Sequence, residues 1–152
     1  MTERLVVYDS FFGNTAEVAK VIGEAFGEVA KKVDSITPED LDGVKLLIIG
    51  SPTRTCQPTP AITAFLKGMK GRLAGVKAAA FDTRIRVENT PSGFLRFMIG
   101  IFGYATPKLV KCLQKAGAEI ALEAEGFAVM DSEGPLAEGE QNRAWAWAVK
   151  IL

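Results

Sequence analysis

Short apolar runs alternate along the chain with segments of helical periodicity, and this alternation is the strongest constraint on the fold. Clear strand signals lie at residues 5–8, 46–50 and 76–81, and a last strand comes in two pieces at 118–122 and 127–130. Apolar runs of this length are typical of strands buried on both faces of a sheet. The pattern therefore predicts a parallel α/β sheet covered by helices on both faces.

The segments between these strands carry helix signals and one weaker strand signal. Asn14 is a suitable N-cap for a first helix, with Glu17 three residues later as in a capping box. Residues 33–36 form a weak strand candidate, and a final helix is predicted from about 136 to 152. A chain of 152 residues has the size of one ordinary domain, so we expect a single domain over residues 1–152.

Histidine is absent from the sequence, which excludes Ser-His-Asp and Cys-His catalysis and most zinc sites. Cys56 and Cys112 have no metal-binding spacing and are expected to be reduced thiols of a cytoplasmic protein. No apolar stretch reaches the length of about 20 residues that a membrane span needs. The zero net charge predicts no general attraction to nucleic acid or to a membrane.

Residues 10–15 join the first buried strand to the start of a helix. The free N–H groups and the positive dipole end of a helix favour a phosphate there. Gly13 allows close backbone approach, and Ser10, Asn14 and Thr15 add polar side chains. The same residue types also suit an ordinary capped turn, and the loop matches neither GxGxxG nor a Walker motif.

Residues 10–15, Ser-Phe-Phe-Gly-Asn-Thr, resemble the phosphate loop T/S-x-T/S-G-N-T of the flavodoxin family. Similar ordered matches follow at 49–53, at 80–84 and in the segment 134–145. The resemblance implies a three-layer flavodoxin-like domain with a five-stranded parallel sheet of order 2-1-3-4-5. It also implies noncovalently bound FMN, with the phosphate on the first loop and the ring between the second and third. The implied cofactor-binding residues are Ser10, Phe11, Phe12, Gly13, Asn14, Thr15, Ser51, Pro52, Thr53, Arg54, Thr55, Cys56, Asp82, Thr83 and Arg84.

Two departures from the family pattern affect the expected flavin site. Phe12 replaces the hydroxyl residue at the third position of the phosphate loop, which removes one hydrogen bond worth about 1.5–3 kcal/mol with a charged acceptor. The second loop, residues 51–58, contains neither an aromatic residue nor a glycine. A ring stacked on the flavin would then have to come from Phe94, Phe97, Phe102 or Tyr104, although core packing also accounts for such residues.

Charge is unevenly distributed: residues 51–112 carry a net charge of +8, and the segments on either side carry −4 each. Arg54, Arg84, Arg86 and Arg96 fall in loops expected to converge on the flavin, so we expect a less negative flavin potential than in acidic flavodoxins. The apolar stretch 92–104 suits a helix packed on the sheet, a lid, or a partner or self-association surface.

We therefore expect an FMN-binding electron carrier that exchanges electrons with a redox partner protein. The partner is expected to have an acidic docking surface. An FMN-dependent NAD(P)H/quinone oxidoreductase of the same fold is an alternative, so the sequence leaves open whether the protein is an enzyme. A flavin-free interaction module is the other alternative, and Phe12 and the ring-free second loop are the features that favour it.

Overall fold

The computed structural model describes residues 3–90 and 92–152. Over these residues strands and helices alternate, with short 3-10 turns between some of them. The elements are β1 (Arg4–Tyr8), α1 (Asn14–Phe26), β2 (Lys31–Lys32), β3 (Leu46–Pro52), α2 (Pro60–Gly68), β4 (Lys77–Arg84), α3 (Gly93–Phe102), α4 (Ala105–Lys115), β5 (Glu119–Ile120), β6 (Glu125–Ala128) and α5 (Glu140–Val149). Within the described residues, no helix has the length and apolarity needed to cross a bilayer.

The strands form one parallel sheet in the order β2-β1-β3-β4, and both β5 and β6 pair with β4 beyond it. The last position of the sheet is therefore one interrupted strand, as the two apolar pieces in the sequence predict. The order 2-1-3-4-5 is confirmed. Because every pairing is parallel, the carboxyl ends of β1, β3 and β4 meet at one edge of the sheet.

Each face of the sheet carries its own apolar core because successive side chains of a strand point to opposite faces. One face packs on α2 and α4 through buried residues that include Leu5, Val7, Leu47, Ile49, Ile62, Leu66, Leu109 and Leu113. The other packs on α1 and α5 through Val6, Val18, Ile22, Ile48, Phe81, Phe127 and Trp147. The predicted three-layer arrangement is confirmed.

Two predicted element boundaries are wrong. The second strand is Lys31–Lys32 rather than 33–36, where Val33–Ser35 forms a 3-10 turn and buries only Val33. Exposed lysines on a very short edge strand discourage pairing with another chain. The last helix begins at Glu140 and not near Leu136, because Leu136 forms a β-bridge with Val129 and Gly139 caps the helix with a φ of 83°.

The stretch 92–104 does not form a helix packed into the core. Ser92 caps α3 by accepting a hydrogen bond from the N–H of Leu95 at 3.2 Å, as a serine N-cap does. No residue of α3 is fully buried. Of the interpretations that the sequence allowed for this stretch, the core helix is therefore wrong.

Candidate functional site

A cleft of about 350 Å³ opens where the segments after β1, β3 and β4 converge. This is the edge at which open parallel sheets bind ligands. Its wall is formed by Ser10, Phe11, Phe12, Asn14, Thr15, Pro52, Thr53, Arg54, Thr55, Thr83, Arg84, Ile85, Leu95, Val129 and Ser132. The volume lies at the lower end of the range for small-molecule sites, about 300–1,000 Å³.

The conformation of the first loop, residues 10–15, is fixed by the protein's own hydrogen bonds and by Gly13. The Gly13 N–H donates to the Ser10 hydroxyl oxygen at 3.0 Å, so the proton of that hydroxyl remains available for another acceptor. Gly13 has a φ of 92°, a left-handed conformation that glycine adopts without strain, and it is the N-cap of α1. The loop thus ends with the first N–H groups of α1, which have no partners within the helix.

The predicted capping box at the start of α1 is wrong. Asn14 is the first helical residue, and its side-chain amide donates to the Glu133 carbonyl at 3.2 Å. A Cβ on Gly134 would lie 2.5 Å from this side chain, so the glycine makes room for it. Glu17 pairs with the side chain of Gln141 instead of capping the helix. Asn14 therefore fastens the first loop to the segment after β6.

Thr15 and Thr83 join the first and third loops. Their hydroxyl oxygens lie 2.7 Å apart, and both residues are buried. If Thr83 donates in this pair, the Thr15 proton is free to reach an acceptor in the cleft. This contact fixes the spacing between the α1 N-terminus and the end of β4.

The second loop contains a tight turn with unusual backbone angles. Arg54 and Gln57 exchange backbone hydrogen bonds of 2.8 and 3.0 Å. The two residues between them, Thr55 and Cys56, have positive φ values of 50° and 64°, the pattern of a type I′ turn usually built from Asn and Gly. The ammonium of Lys108 donates to the Cys56 carbonyl and, at 3.3 Å, to that of Phe102. The turn is thus held by a residue of α4.

Asp82 and Arg84 form an ion pair at the cleft wall, in which the carboxylate is buried and the guanidinium is partly buried. Arg84 donates through Nε and Nη2 to the two carboxylate oxygens at 2.6 and 2.9 Å. The same carboxylate accepts from the Thr53 hydroxyl at 3.0 Å and from the Thr106 N–H at 3.2 Å. Burial raises the pKa of Asp82, and the hydrogen bonds and charge of Arg84 oppose that shift. Arg84 also stacks on Tyr104, with 3.8 Å from its guanidinium carbon to the ring centre.

Arg54 brings a second guanidinium to the cleft. It lies over the rings of Phe11 and Phe12, 4.9 and 5.7 Å from their centres, within the range of a cation–π contact. Among the lining residues that the structure describes, Arg54 and Arg84 are the charged ones, and no carboxylate faces the cleft. Because Asp82 balances the charge of Arg84, it is chiefly Arg54 that favours an anionic ligand.

Comparison with known proteins agrees with this architecture. Neither a family model nor a curated protein matches the sequence. Among solved structures, oxidised flavodoxin 1 from Bacillus cereus is similar over 99% of this chain and 97% of its own, with a TM-score of 0.75 and 19% identity. A flavodoxin from the domain Archaea covers 99% and 96%, with a TM-score of 0.74 and 15% identity. The chain has a flavodoxin-like fold.

The same fold also occurs as part of a larger protein. Rubredoxin oxygen:oxidoreductase from Desulfovibrio gigas matches 99% of this chain over 35% of its own length, with a TM-score of 0.71 and 21% identity. At these identities the likeness establishes the fold, and it agrees with the fold that the loop motifs imply.

The flavodoxin-like fold brings most of the predicted site residues to the cleft wall. Gly13, Ser51, Cys56 and Asp82 are the exceptions among them. Gly13 shapes the backbone. The Ser51 hydroxyl accepts from the Thr59 N–H at 3.0 Å, the Cys56 side chain is buried, and the Asp82 carboxylate lies behind Arg84.

Ile85, Leu95, Val129 and Ser132 also line the cleft and were not predicted as site residues. Ile85 and Val129 come directly after strands, and Ser132 lies in the segment that follows β6. The rule that ligands bind outside the carboxyl ends of strands therefore predicts this region. Leu95 belongs to the apolar stretch 92–104, and no signal in the sequence distinguishes it from its neighbours as a site residue. Of the rings considered for stacking, Phe94, Phe97 and Phe102 are exposed, and Tyr104 is covered by Arg84.

Proposed function

We propose that this protein binds FMN noncovalently in the cleft and passes electrons between redox partners. The observation that carries the proposal is the composition of the cleft wall. Hydroxyl groups lie at a helix N-terminus, Arg54 adds a positive charge, and the carboxylate behind the wall, Asp82, is paired with Arg84. A phosphate-bearing ligand fits these groups better than a neutral or cationic one. The flavodoxin-like fold makes FMN the first candidate.

The phosphate end of the ligand would bind at the first loop. The N–H groups at the start of α1 provide donors together with the positive end of the helix dipole. The Ser10 hydroxyl has its proton available, because it accepts from the Gly13 N–H, and the Thr15 hydroxyl can donate as well when Thr83 is the donor in their pair. Arg54, next to the loop, adds a positive charge.

The ring end would lie against the apolar part of the wall. Pro52, Ile85, Leu95 and Val129 contribute this surface from four separate segments. They exclude water from one side of a flat ligand without stacking an aromatic ring on it. When bound, FMN supplies one- or two-electron transfer, and the protein's part is to position it and set the charge around it. Arg54 favours added electrons, whereas Asp82 largely balances the charge of Arg84. We therefore expect a less negative potential than acidic surroundings would give.

The partner proposed for electron transfer is a protein with an acidic docking surface. Arg54 and Arg86 are exposed, and Arg54 lies at the cleft itself. A positive rim attracts an acidic surface and speeds encounter at low ionic strength. Such docking would bring the partner's redox centre to the cleft opening.

An absorption spectrum of the purified protein, with and without added FMN, tests the proposal. We expect a flavin spectrum that is retained through gel filtration, and tighter binding of FMN than of riboflavin, which lacks the phosphate. Equal binding of the two flavins would contradict the phosphate site. Absence of any flavin binding would favour the interaction module.

A second assay separates the carrier from an oxidoreductase. The flavin-loaded protein is mixed with NADH or NADPH and a soluble quinone, and oxidation of the nicotinamide is followed at steady state. We expect no sustained turnover without an added reductase. Rapid turnover would instead identify an NAD(P)H/quinone oxidoreductase of the same fold.

A further inference from the structure

The Arg84 guanidinium is held in one orientation at the cleft wall. Its Nε and Nη2 donate to the two carboxylate oxygens of Asp82, and Nη2 also donates to the Thr106 hydroxyl at 3.1 Å. The centre of the Tyr104 ring lies 3.8 Å from the guanidinium carbon. Bidentate bonding and ring stacking together remove the rotational freedom of an ordinary surface arginine.

Gly126 provides the space that this orientation needs. It pairs with Asp82 across β4 and β6, and a Cβ at Gly126 would lie 2.2 Å from the guanidinium carbon and from Nε of Arg84. Gly126 does not have a positive φ, so the missing side chain and not the backbone conformation is what the position requires. Strand β6 and Tyr104, the N-cap of α4, therefore fix the guanidinium together with Asp82.

The bonds to Asp82 and Thr106 leave one nitrogen of Arg84 available. Of the five N–H groups of an arginine, the one on Nε and the two on Nη2 have these acceptors. No residue that the structure describes accepts a hydrogen bond from Nη1. Within the described residues, no buried side-chain nitrogen or oxygen lacks a partner, so Nη1 is accessible. Because Arg84 lines the cleft, Nη1 is an oriented donor at the cleft wall.

The Arg84 side chain lies on the side of the sheet opposite to the first loop. Thr83 and Arg84 are neighbours in β4, so their side chains point to opposite faces. The Thr83 side chain contacts Thr15 at the start of α1, whereas the Arg84 side chain contacts Thr106 in α4. The Nη1 donor is therefore separate from the proposed phosphate site at the α1 N-terminus.

Two apolar residues of the cleft wall are neighbours of Arg84. Ile85 follows it in the chain, and the Val129 N–H donates to the Arg84 carbonyl at 2.8 Å. Neither side chain has a hydrogen-bonding atom, so the acceptor for Nη1 is water or a ligand. A ligand that displaces water from this donor loses affinity unless it supplies an acceptor of its own.

We propose that Nη1 of Arg84 donates a hydrogen bond to a carbonyl oxygen of the bound flavin ring. Tyr104 and Gly126 act as positioning residues for this donor. The inference rests on the proposed binding of FMN in the cleft. A flavin ring carries its carbonyl oxygens at one end and its methyl groups at the other, so a fixed donor at the wall selects one orientation of the ring.

The contribution of Arg84 is directional more than electrostatic. Asp82 largely balances its charge, but the direction of the Nη1 N–H groups is unaffected by that pairing. Electrons added to the flavin ring increase the negative charge on its carbonyl oxygens, so the bond from Nη1 strengthens on reduction. Arg84 should therefore stabilise reduced flavin more than oxidised flavin.

Fluorescence titration of the full chain with FMN and with riboflavin tests the proposal. Arg84→Lys keeps a positive charge for Asp82 but has a single nitrogen, which Asp82 occupies. We expect its Kd to rise about tenfold for both flavins, because the ring is common to them and only FMN has the phosphate. Arg72→Lys is the matched control, since Arg72 is exposed and lies outside the cleft, and it should bind both flavins like the unchanged protein.

Two further measurements report on the hydrogen bond itself. The infrared carbonyl band of the bound flavin should move to higher frequency in Arg84→Lys, because a hydrogen bond to a carbonyl lowers that frequency. The affinity for reduced FMN should fall about tenfold more than that for oxidised FMN. That ratio equals a midpoint potential about 30 mV more negative for a two-electron couple.

Tyr104 variants test the positioning role without changing Arg84 or Asp82. Tyr104→Leu removes the stacked ring, and we expect a Kd about threefold higher for both flavins with a carbonyl band shifted in the same direction. Tyr104→Phe keeps the ring and should retain the affinity and the carbonyl band of the unchanged protein. Thermal unfolding shows whether each variant is folded, and the Tyr104 pair decides the question if Arg84→Lys is not.

Three results would overturn the proposal. One is unchanged affinity and an unchanged carbonyl band in Arg84→Lys. Another is a loss of affinity for FMN alone, which would place Arg84 at the phosphate. The third is equal behaviour of Tyr104→Leu and Tyr104→Phe, which would remove Tyr104 from the positioning role. Failure of the unchanged protein to bind either flavin is a separate outcome, in which the proposed function falls and this inference falls with it.

Discussion

Replacing Phe12 by threonine should strengthen FMN binding, because it restores a hydroxyl to the phosphate loop. Phe12 is 48% exposed, so losing its ring costs less than losing a core residue. Its contact with Arg54, at 5.7 Å, is worth about 0.5–1 kcal/mol at an exposed site. Valine has nearly the same shape as threonine and loses the same contact. The comparison of Phe12→Thr with Phe12→Val therefore isolates the hydroxyl.

The size of the effect follows from the group that the hydroxyl would meet. A hydrogen bond to a charged acceptor contributes about 1.5–3 kcal/mol. The first loop is partly open to water, which competes for the phosphate, so we expect the lower limit. About 1.4 kcal/mol corresponds to a tenfold difference in Kd between Phe12→Thr and Phe12→Val.

Fluorescence titration with FMN and with riboflavin measures this difference directly. The tenfold ratio should appear for FMN and be close to one for riboflavin, which has no phosphate. A ratio near one for both flavins, or the same ratio for both, would refute the placement of the phosphate at this loop. If no form of the protein bound either flavin, the proposed function itself would fail.

Three further predictions concern stability, each measured as the free energy of unfolding in denaturant. Thr55→Gly should stabilise the protein by about 1 kcal/mol, because Thr55 has a φ of 50° that glycine adopts without strain, and a loss instead would show that the turn is unstrained. Asp82→Ala should cost about 3–5 kcal/mol, since it leaves the Arg84 guanidinium without its carboxylate, and a cost below about 1 kcal/mol would contradict the buried pair. Burial alone would raise the pKa of Glu140, but hydrogen bonds from Arg143 and the Ala128 N–H outweigh it and lower the pKa. Glu140→Gln should therefore lower the free energy of unfolding by about 2 kcal/mol at neutral pH. This loss should be constant above the ordinary pKa of glutamate and should disappear as the pH falls through the lowered pKa of Glu140. A loss of stability that does not depend on pH would refute this linkage.

Much of the fold could be predicted because its signals are local. The run 47–49 is fully buried, with Leu47 and Ile49 on one face of the sheet and Ile48 on the other. A continuous apolar run of this kind predicts a central strand. The edge strand Lys31–Lys32 has no such signal, since its residues are exposed and only its pairing with β1 defines it. The strand predicted at 33–36 is wrong because a single apolar residue such as Val33 is buried equally well by a strand and by a 3-10 turn.

The site shows the same division between local motifs and long-range contacts. The positions of Ser10, Thr15 and Arg54 at the cleft follow from loops that come directly after strands. The partner of Asn14 does not, because Glu133 lies 119 residues away in the chain. Likewise, nothing in the sequence near Cys56 indicates that Lys108 holds its carbonyl, so the left-handed turn could not be foreseen.

Lys108 connects the second loop, beside the cleft, to the C-terminal end of α3. Its single ammonium donates both to the Cys56 carbonyl beside the cleft and to the Phe102 carbonyl that ends α3. A ligand that draws this ammonium towards one carbonyl weakens its bond to the other. The two contacts are therefore coupled: if a ligand on α3 changes the affinity of the cleft for flavin by some factor, flavin changes the affinity of α3 for that ligand by the same factor.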